Sequence, residues 1–116
     1  MRNFRTLEVW KKGMEILKLT YAVTNELPEK EMFGLVSQMN RAAVSISSNV
    51  AEGASRSSQK DFRRFLEIAL GSCFERETQL IAARELNLLS SNACSELLGA
   101  IDEEQKMLIA FMKKLN

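Results

Sequence analysis

Cationic side chains are concentrated in three stretches of the chain, and they are the residues best suited to binding a charged partner. The stretches lie near the N-terminus, between residues 56 and 64, and near the C-terminus. They contain Arg2, Arg5, Arg56, Lys60, Arg63, Arg64, Lys113 and Lys114. Arginine and lysine bind nucleic acids by neutralising phosphate charge. The formal net charge is only +1, from 16 Lys+Arg against 15 Asp+Glu, so such binding depends on how the fold groups these cations.

The sequence lacks the residues that most enzyme sites use. It has no histidine, which removes the commonest general base and metal ligand and the Ser-His and Cys-His nucleophile pairs. The Glu52-Gly53-Ala54-Ser55 segment is too short for a phosphate-binding loop and is not followed by Gly-Lys. The acidic run Asp102-Glu103-Glu104 is interpreted as a solvated helix face. We therefore expect no enzyme activity, no cofactor and no metal site.

Apolar residues recur at helical spacing through the chain, and no strand pattern competes. The spacing predicts helices over residues 6–25, 31–52, 58–86 and from 90 or 91 to the C-terminus. Pro28 separates the first two helices, Gly53 is expected to cap the end of the second, and Ser58 to cap the start of the third. Helices of this length with short connections predict an all-α, antiparallel up-down-up-down four-helix bundle, a single domain over residues 1–116.

This topology predicts two ends of opposite charge. The N-terminus, the turn between the second and third helices, and the C-terminus would share one end, so the cations would lie together. The opposite end would collect Glu26, Glu29, Glu31, Glu85 and Glu96 against Lys30 and Arg84. The basic end suits a polyanion, although the same charges also fit an ordinary solvated surface. No aromatic stacking platform accompanies the cations, so contacts are expected with phosphates and not with bases.

A second group of residues is predicted to be structural. It comprises Arg41, Asn49, Glu52, Gly53, Glu67, Gly71, Ser72 and Glu75. Small residues make the second helix thin, and Gly71-Ser72 is expected to let the third helix approach it closely. We further predict an ion pair between Arg41 and either Glu67 or Glu75, which would fix the register of these two helices.

The two cysteines, Cys73 and Cys94, are expected to be small core residues. In the predicted hairpin they lie ~15 Å apart along the helix axis, whereas a disulfide needs Cα atoms within about 7 Å of each other. No apolar run approaches the ~18 residues of a membrane span, and the N-terminus lacks the apolar core of a signal peptide. A cytoplasmic protein is therefore expected.

Several motifs along the chain resemble those of a known family. They are Gln38-Met39-Asn40-Arg41-Ala42-Ala43, Ser45-Ile46, Asn49-Val50-Ala51-Glu52-Gly53, Arg56, Gly71-Ser72-Cys73-Phe74-Glu75, Phe4 with Leu7-Glu8-Val9-Trp10, and Met32-Phe33-Gly34-Leu35. Together they resemble the signature of the four-helix bundle proteins of the ribosomal-RNA intervening-sequence type. The resemblance implies a homopentamer whose molecular role is largely uncharacterised. It also implies a relationship to the accessory variability protein of diversity-generating retroelements, a pentameric bundle that binds nucleic acid and a reverse transcriptase.

Two functional hypotheses follow. In the first, the chain is a non-enzymatic homo-oligomeric bundle that binds RNA or DNA backbone through its basic end. In the second, it is an oligomeric scaffold that binds a protein partner, such as a reverse transcriptase, without direct nucleic-acid contact. The first two helices carry apolar stripes wider than one bundle seam, and this extra surface serves either a wide core or contacts between subunits.

Overall fold

Residues 2–115, which the computed structural model describes, fold into four α-helices and contain no strand. The helices are α1, Glu8–Thr24; α2, Ser37–Ala54; α3, Gln59–Glu85; and α4, Ser91–Lys113. They form a rod of 44 × 23 × 19 Å, in which α1 and α3 each pack against both α2 and α4. The predicted all-α class is confirmed, and the arrangement is that of a four-helix bundle.

Serine caps begin α3 and α4: the cap at Ser58 was predicted, and the cap at Ser90 lies where the fourth helix was predicted to start. Ser58 Oγ accepts a hydrogen bond from Asp61 N at 3.0 Å, and Ser90 Oγ accepts one from Ala93 N at 3.1 Å. Each serine satisfies a backbone donor that the first turn of a helix leaves without an internal partner. These boundaries depend on local sequence, which is why they could be located without tertiary information.

The entry to α2 differs from the prediction. The helix expected from about residue 31 begins as a 3-10 turn, Glu29–Glu31, followed by a π-helical turn, Met32–Val36, before α2 starts at Ser37. A π turn is wider than an α turn, so side chains within it leave the stripe that the α-helical period predicts. Phe33, which lies in this turn, is 94% exposed.

Two glycines have roles that differ from those predicted, because the close contact expected at Gly71 is formed at Gly53. Gly53 does not end α2 with a left-handed cap; it is buried inside the helix. A Cβ atom added there would lie 2.8 Å from atoms of both Phe62 and Phe65, so the missing side chain lets α3 approach α2. Gly71 is exposed, and a Cβ atom added there would meet no neighbouring atom of residues 2–115 within 4 Å. The close contact of these helices therefore depends on Gly53 and not on Gly71.

Aliphatic side chains from all four helices build the interior. Ile16, Ile46, Leu66 and Leu108 have no exposed surface, and full burial of such a side chain contributes about 1.5–3 kcal/mol. Cys73 and Cys94 are buried among them as free thiols, which confirms the expected core role. None of the helices described has the length and apolarity needed to cross a membrane.

Two charged side chains lie within this apolar interior. Glu104, interpreted from its acidic run as solvated, has no exposed surface, and neither has Arg76 on α3. Glu104 lies three residues after Ile101 and four before Leu108, so helical geometry places it on the buried face of α4. Its neighbours Asp102 and Glu103 are exposed as expected.

Candidate nucleic-acid interface

Three segments that are distant in sequence meet at one end of the bundle. Arg2 N donates a hydrogen bond to Ala54 O at 3.0 Å, which ties the N-terminal segment to the end of α2. Arg63 Nη1 donates to Leu115 O at 3.4 Å, which ties the start of α3 to the C-terminal segment. We call this region the basic end, and it contains Arg2, Arg5, Arg56, Lys60, Arg63, Arg64, Lys113 and Lys114.

Phenylalanine rings orient the arginines of the N-terminal segment. The Arg2 guanidinium lies 5.2 Å from the ring centroid of Phe62 and 5.5 Å from that of Phe111. These two rings contact each other edge to face, 5.3 Å apart. Arg5 lies over Phe4 at 4.5 Å. Each such cation–π contact contributes about 0.5–1 kcal/mol at an exposed site, so the arginines are held near the surface in preferred orientations.

A fourth ring, that of Phe65, contacts the arginines of the turn between α2 and α3. The guanidinium groups of Arg56 and Arg64 lie 4.8 Å and 5.9 Å from the centroid of Phe65. Arg56 also pairs with Glu52 at 3.0 Å. Both partners of this pair are exposed, so it contributes little to stability and exchanges easily for another anion.

A concave cleft of about 200 Å³ opens beside the N-terminus of α3. It is lined by Arg2, Arg56, Ser57, Ser58, Gln59 and Phe62. The arginines provide positive charge and directed N–H donors, and the serines provide hydroxyl groups. The start of the 27-residue α3 adds backbone N–H groups and the positive end of its helix dipole. This combination of groups is suited to binding a phosphate.

The other cations of the basic end lie outside the cleft. Lys60, Arg64, Lys113 and Lys114 are exposed, and within residues 2–115 none of them forms an ion pair. They therefore add positive potential around the cleft, opposed by the exposed Asp61 in the first turn of α3. This potential attracts a polyanion over roughly the Debye length of ~8–10 Å at ordinary salt.

A polar network links α2 to α3 in the middle of the bundle. Asn49 Nδ2 donates to Ser45 O at 2.8 Å and to Ser45 Oγ at 2.9 Å. The hydroxyl groups of Ser45 and Ser72 share a hydrogen bond of 2.9 Å. Glu67 takes no part in this network and pairs with Arg63 on its own helix at 3.7 Å. The Ser45–Ser72 hydrogen bond, and not a carboxylate, thus joins the two helices here, and Asn49 supports Ser45 from within α2.

The predicted ion pair of Arg41 is not formed. Arg41 and Glu75 line the same surface groove of about 570 Å³, but within residues 2–115 neither side chain forms an ion pair. Both are exposed, and an exposed pair gains little over the entropy lost when two long side chains are held together. The Ser45–Ser72 hydrogen bond and the contact at Gly53 position the two helices instead.

Sequence reasoning placed Cys73 in the interior but missed two charged groups there, Glu104 and Arg76. Burial raises the pKa of the Cys73 thiol to about 12 and that of the Glu104 carboxyl to about 8. Burial also lowers the pKa of the Arg76 guanidinium to about 10. Helical phase was the available signal, because Arg76 follows the buried residues Ala69 and Cys73 at helical spacing.

The fold and this end together define a small all-helical bundle protein with a basic, phosphate-suited surface. The chain belongs to the family of 23S rRNA-intervening sequence proteins, whose family model matches residues 5–110. It is similar to a crystal structure of a protein with unknown function from the S23 ribosomal protein family of Bacteroides thetaiotaomicron. The two are 24% identical with a TM-score of 0.83, over 90% of this chain and 95% of that chain, and this likeness concerns the fold. Among curated proteins, none matches this chain.

Proposed function

We propose that this chain is a non-enzymatic protein that forms a homo-oligomer of antiparallel up-down-up-down bundles and binds RNA or DNA backbone through its basic end. The observation that carries the proposal is the cleft in which Arg2 and Arg56 converge on the N-terminus of α3. A cation cluster on a solvated surface needs no concave site, whereas a bound phosphate is best held by donors that converge from several directions.

The up-down order is supported by hydrogen bonds between helices. Ser47 Oγ donates to Trp10 O at 3.3 Å, and Thr24 Oγ1 donates to Asn40 Oδ1 at 3.2 Å. The residue number on α2 thus falls as the number on α1 rises, as it must when neighbouring helices run in opposite directions. Arg63 contacts Leu115 and Glu77 contacts Gln105, so α3 and the C-terminal part of the chain also run in opposite directions.

Phosphate recognition also agrees with the orientation of the arginines. Contact with phenylalanine rings holds the Arg2 and Arg56 guanidinium groups near the surface. The N–H groups of Arg2 remain for oxygen acceptors, and those of Arg56 become available when a phosphate replaces the exposed Glu52 partner. Phe62 is buried, and the half-buried rings of Phe4 and Phe65 are already in contact with Arg5 and Arg56, so these rings are not free to stack on a base. Binding should therefore depend on backbone charge and be largely independent of base sequence.

Homo-oligomer formation is supported by the outer face of α3. Ile68, Phe74 and Ile81 are 37–54% exposed, and Gly71 lies among them with open space around it. A glycine in the middle of a helix costs about 1 kcal/mol relative to alanine, and Gly71 has no packing reason within residues 2–115. Close approach of another subunit would supply one. Light scattering on purified protein would measure the mass of the assembly.

The test of nucleic-acid binding is fluorescence anisotropy with labelled single-stranded RNA and DNA of mixed sequence. We expect the affinity to fall steeply between about 50 mM and 200 mM salt, because each phosphate contact releases roughly one counterion. The cleft variant Arg2→Gln/Arg56→Gln should bind more weakly. The slope of log affinity against log salt concentration should become shallower by about two units.

A matched control separates the cleft from general charge. Lys18→Gln/Lys30→Gln removes the same number of positive charges from exposed positions outside the basic end, and it should retain wild-type affinity. Circular dichroism of both variants would verify that each is folded. Equal weakening by the two double variants, or affinity that does not change with salt, would refute binding at the cleft.

A second candidate function is a scaffold that binds a basic protein partner such as a reverse transcriptase. It is favoured by the end opposite the basic end, where Met32, Phe33 and Leu86 are exposed. The carboxylates near them form no ion pairs within residues 2–115; they are Glu26, Glu29, Glu31, Glu85 and Glu96. Exposed apolar groups with unpaired acidic neighbours suit a partner with apolar and basic side chains.

Affinity capture from the native host after nuclease treatment would test this second candidate. The wild-type protein should retain a basic partner that Phe33→Ser loses. Phe74→Ser is the matched control, because it removes an exposed phenylalanine from the outer face of α3 and should leave the capture unchanged. Retention of the same proteins by all three forms would exclude the Phe33 surface as the docking site.

A further inference from the structure

The contact between α1 and α4 contains a carboxyl group without a partner. Glu104 on α4 has no exposed surface, and within residues 2–115 neither Oε1 nor Oε2 has a hydrogen-bond partner. On the α1 side the carboxyl lies against Gly13, where an added Cβ atom would be 3.4 Å from Oε2 and would collide with Ser47 Oγ. The missing side chain at Gly13 therefore makes room for the Ser47 hydroxyl, and the Glu104 carboxyl group packs beside it at ordinary contact distance.

The groups that α2 and α3 present to Glu104 do not neutralise it. On α2, the Ser47 hydroxyl donates to Trp10 O at 3.3 Å and is engaged there. On α3, the nearby Cys73 is a neutral thiol, since burial first and then the Glu104 charge raise its pKa. Arg76, further along α3, directs its guanidinium to the Thr20 hydroxyl.

The charge that does act on Glu104 comes from α1. Lys12 Nζ lies 3.0 Å from Glu15 Oε2 and 3.3 Å from Glu103 Oε2. The hydrogen bond to Glu15 is the main cause that raises the pKa of Lys12, so the ammonium group stays charged. Lys12 also lowers the pKa of Glu104, against the larger effect of burial. Glu103 and Glu104 are consecutive residues, and Lys12 acts on both. Its ammonium group pairs with the exposed Glu103 carboxylate and lowers the pKa of the buried Glu104 carboxyl group.

We propose that Lys12 and Glu104 form a pH-operated latch across the contact between α1 and α4. While Glu104 is protonated, its neutral carboxyl group stays buried and Lys12 remains paired with Glu103. When Glu104 releases its proton to solvent, an unpaired carboxylate remains in an apolar interior, which is a costly state. The α1–α4 contact then loosens, Lys12 turns inward from Glu103 to Glu104, and water enters beside Gly13.

The latch acts on one side of the bundle only. The contact between α2 and α3 is held by the Ser45–Ser72 hydrogen bond and by the tight fit at Gly53, and neither contains a titratable group. Release of the proton should therefore loosen α1 against α4 while α2 and α3 stay together. Such partial opening would let pH change the exposure of the α1–α4 interior without unfolding the chain.

The test is an NMR titration of the full chain from about pH 6 to about pH 10. Carbon signals of the glutamate carboxyl groups and of the lysine side chains report Glu104 and Lys12 directly. We expect Glu104 to titrate near pH 8 and the Lys12 signal to shift with the same midpoint. The protection of amides near Gly13 and Glu104 against hydrogen exchange should fall at least about tenfold, after correction for the intrinsic increase of exchange with pH. The protection of amides near Ser45 and Ser72 should not change.

Two variants complete the experiment. Glu104→Gln should abolish the alkaline loss of protection, and the adjacent surface variant Glu103→Gln should keep the Glu104 titration. The latch is refuted if Glu104 titrates together with the exposed carboxylates, or if Lys12 does not respond at the Glu104 midpoint. Both outcomes are read from the wild-type protein, so the result does not depend on whether Glu104→Gln folds.

Discussion

Arg76 Nη2 on α3 donates a hydrogen bond to Thr20 Oγ1 on α1, and both side chains are wholly buried. The Thr20 hydroxyl in turn donates to Ile16 O at 2.7 Å. Within residues 2–115, Nε and Nη1 of Arg76 have no partner, so this one hydroxyl is the polar contact that the guanidinium makes across the core. Removing one partner of a buried charge is costly, whereas replacing the charge itself need not be.

Replacement of Thr20 should therefore destabilise the bundle through Arg76. We expect Thr20→Val to lower the free energy of unfolding by about 2–3 kcal/mol, because it leaves the buried guanidinium without its acceptor. Thr20→Ser keeps the hydroxyl and should lose less than about 1 kcal/mol. Urea unfolding followed by circular dichroism measures both values. Equal losses from the two variants would show that the methyl group, and not the hydrogen bond, is what matters.

Replacement of Arg76 by an apolar side chain should be tolerated. Arg76→Met has similar length and removes the desolvated charge, so we expect the free energy of unfolding to stay within about 1 kcal/mol of wild type or to rise. The same unfolding measurement applies, and Arg76→Ala serves as the cavity-forming control with an expected loss. A loss of more than about 3 kcal/mol in Arg76→Met would mean that the charge itself stabilises the core.

The two glycines of the α2–α3 pair should respond oppositely to alanine. Gly53→Ala places a Cβ atom against Phe62 and Phe65 and should cost about 1–3 kcal/mol through overpacking. Gly71→Ala enters open space and should raise helix stability by up to about 1 kcal/mol. Thermal unfolding at low protein concentration compares the stability of the two variants with that of the wild type. If the outer face of α3 is a subunit contact as proposed, Gly71→Ala should also weaken assembly in light scattering.

Cys73 should be inert towards thiol reagents while the protein is folded. Its pKa is raised from 9.0 to about 12 by burial, so the thiolate fraction near neutral pH falls about a thousandfold. Burial also raises the pKa of Cys94. Labelling with a chromogenic disulfide should proceed slowly without denaturant and rapidly in urea. Rapid labelling of the native protein would show that the interior opens far more often than this packing implies.

Glu104 should make the bundle less stable as pH rises. Burial raises its pKa from 4.5 to about 8 in the folded chain, so between these values the folded state holds a proton that the unfolded state has released. The contribution of this bound proton to the free energy of unfolding is fully present below about pH 4.5. It declines by up to ~1.4 kcal/mol per pH unit until about pH 8. Urea unfolding at several pH values should show this decline in the wild type and a smaller one in Glu104→Gln. Equal slopes would place the pKa of Glu104 in its ordinary range.

The sequence by itself determined the helices and most of their limits. Apolar residues at helical spacing and the capping box at Ser58 are local signals, and they predicted the all-α class and the starts of α3 and α4. The three cationic stretches were also visible, because charge needs no structure to be counted. The π-helical entry to α2 was not predicted, since its turn geometry has no distinct residue pattern.

Only the tertiary structure decided which polar and small residues matter. Glu104 and Glu103 are neighbours of the same type, yet one is buried and the other is exposed, because burial depends on which face of α4 meets the other helices. Gly53 and Gly71 were likewise distinguishable only once the rings of α3 were placed. Composition and spacing describe one chain segment at a time, whereas desolvation, ring stacking and ion pairing depend on atoms that segments far apart in sequence bring together.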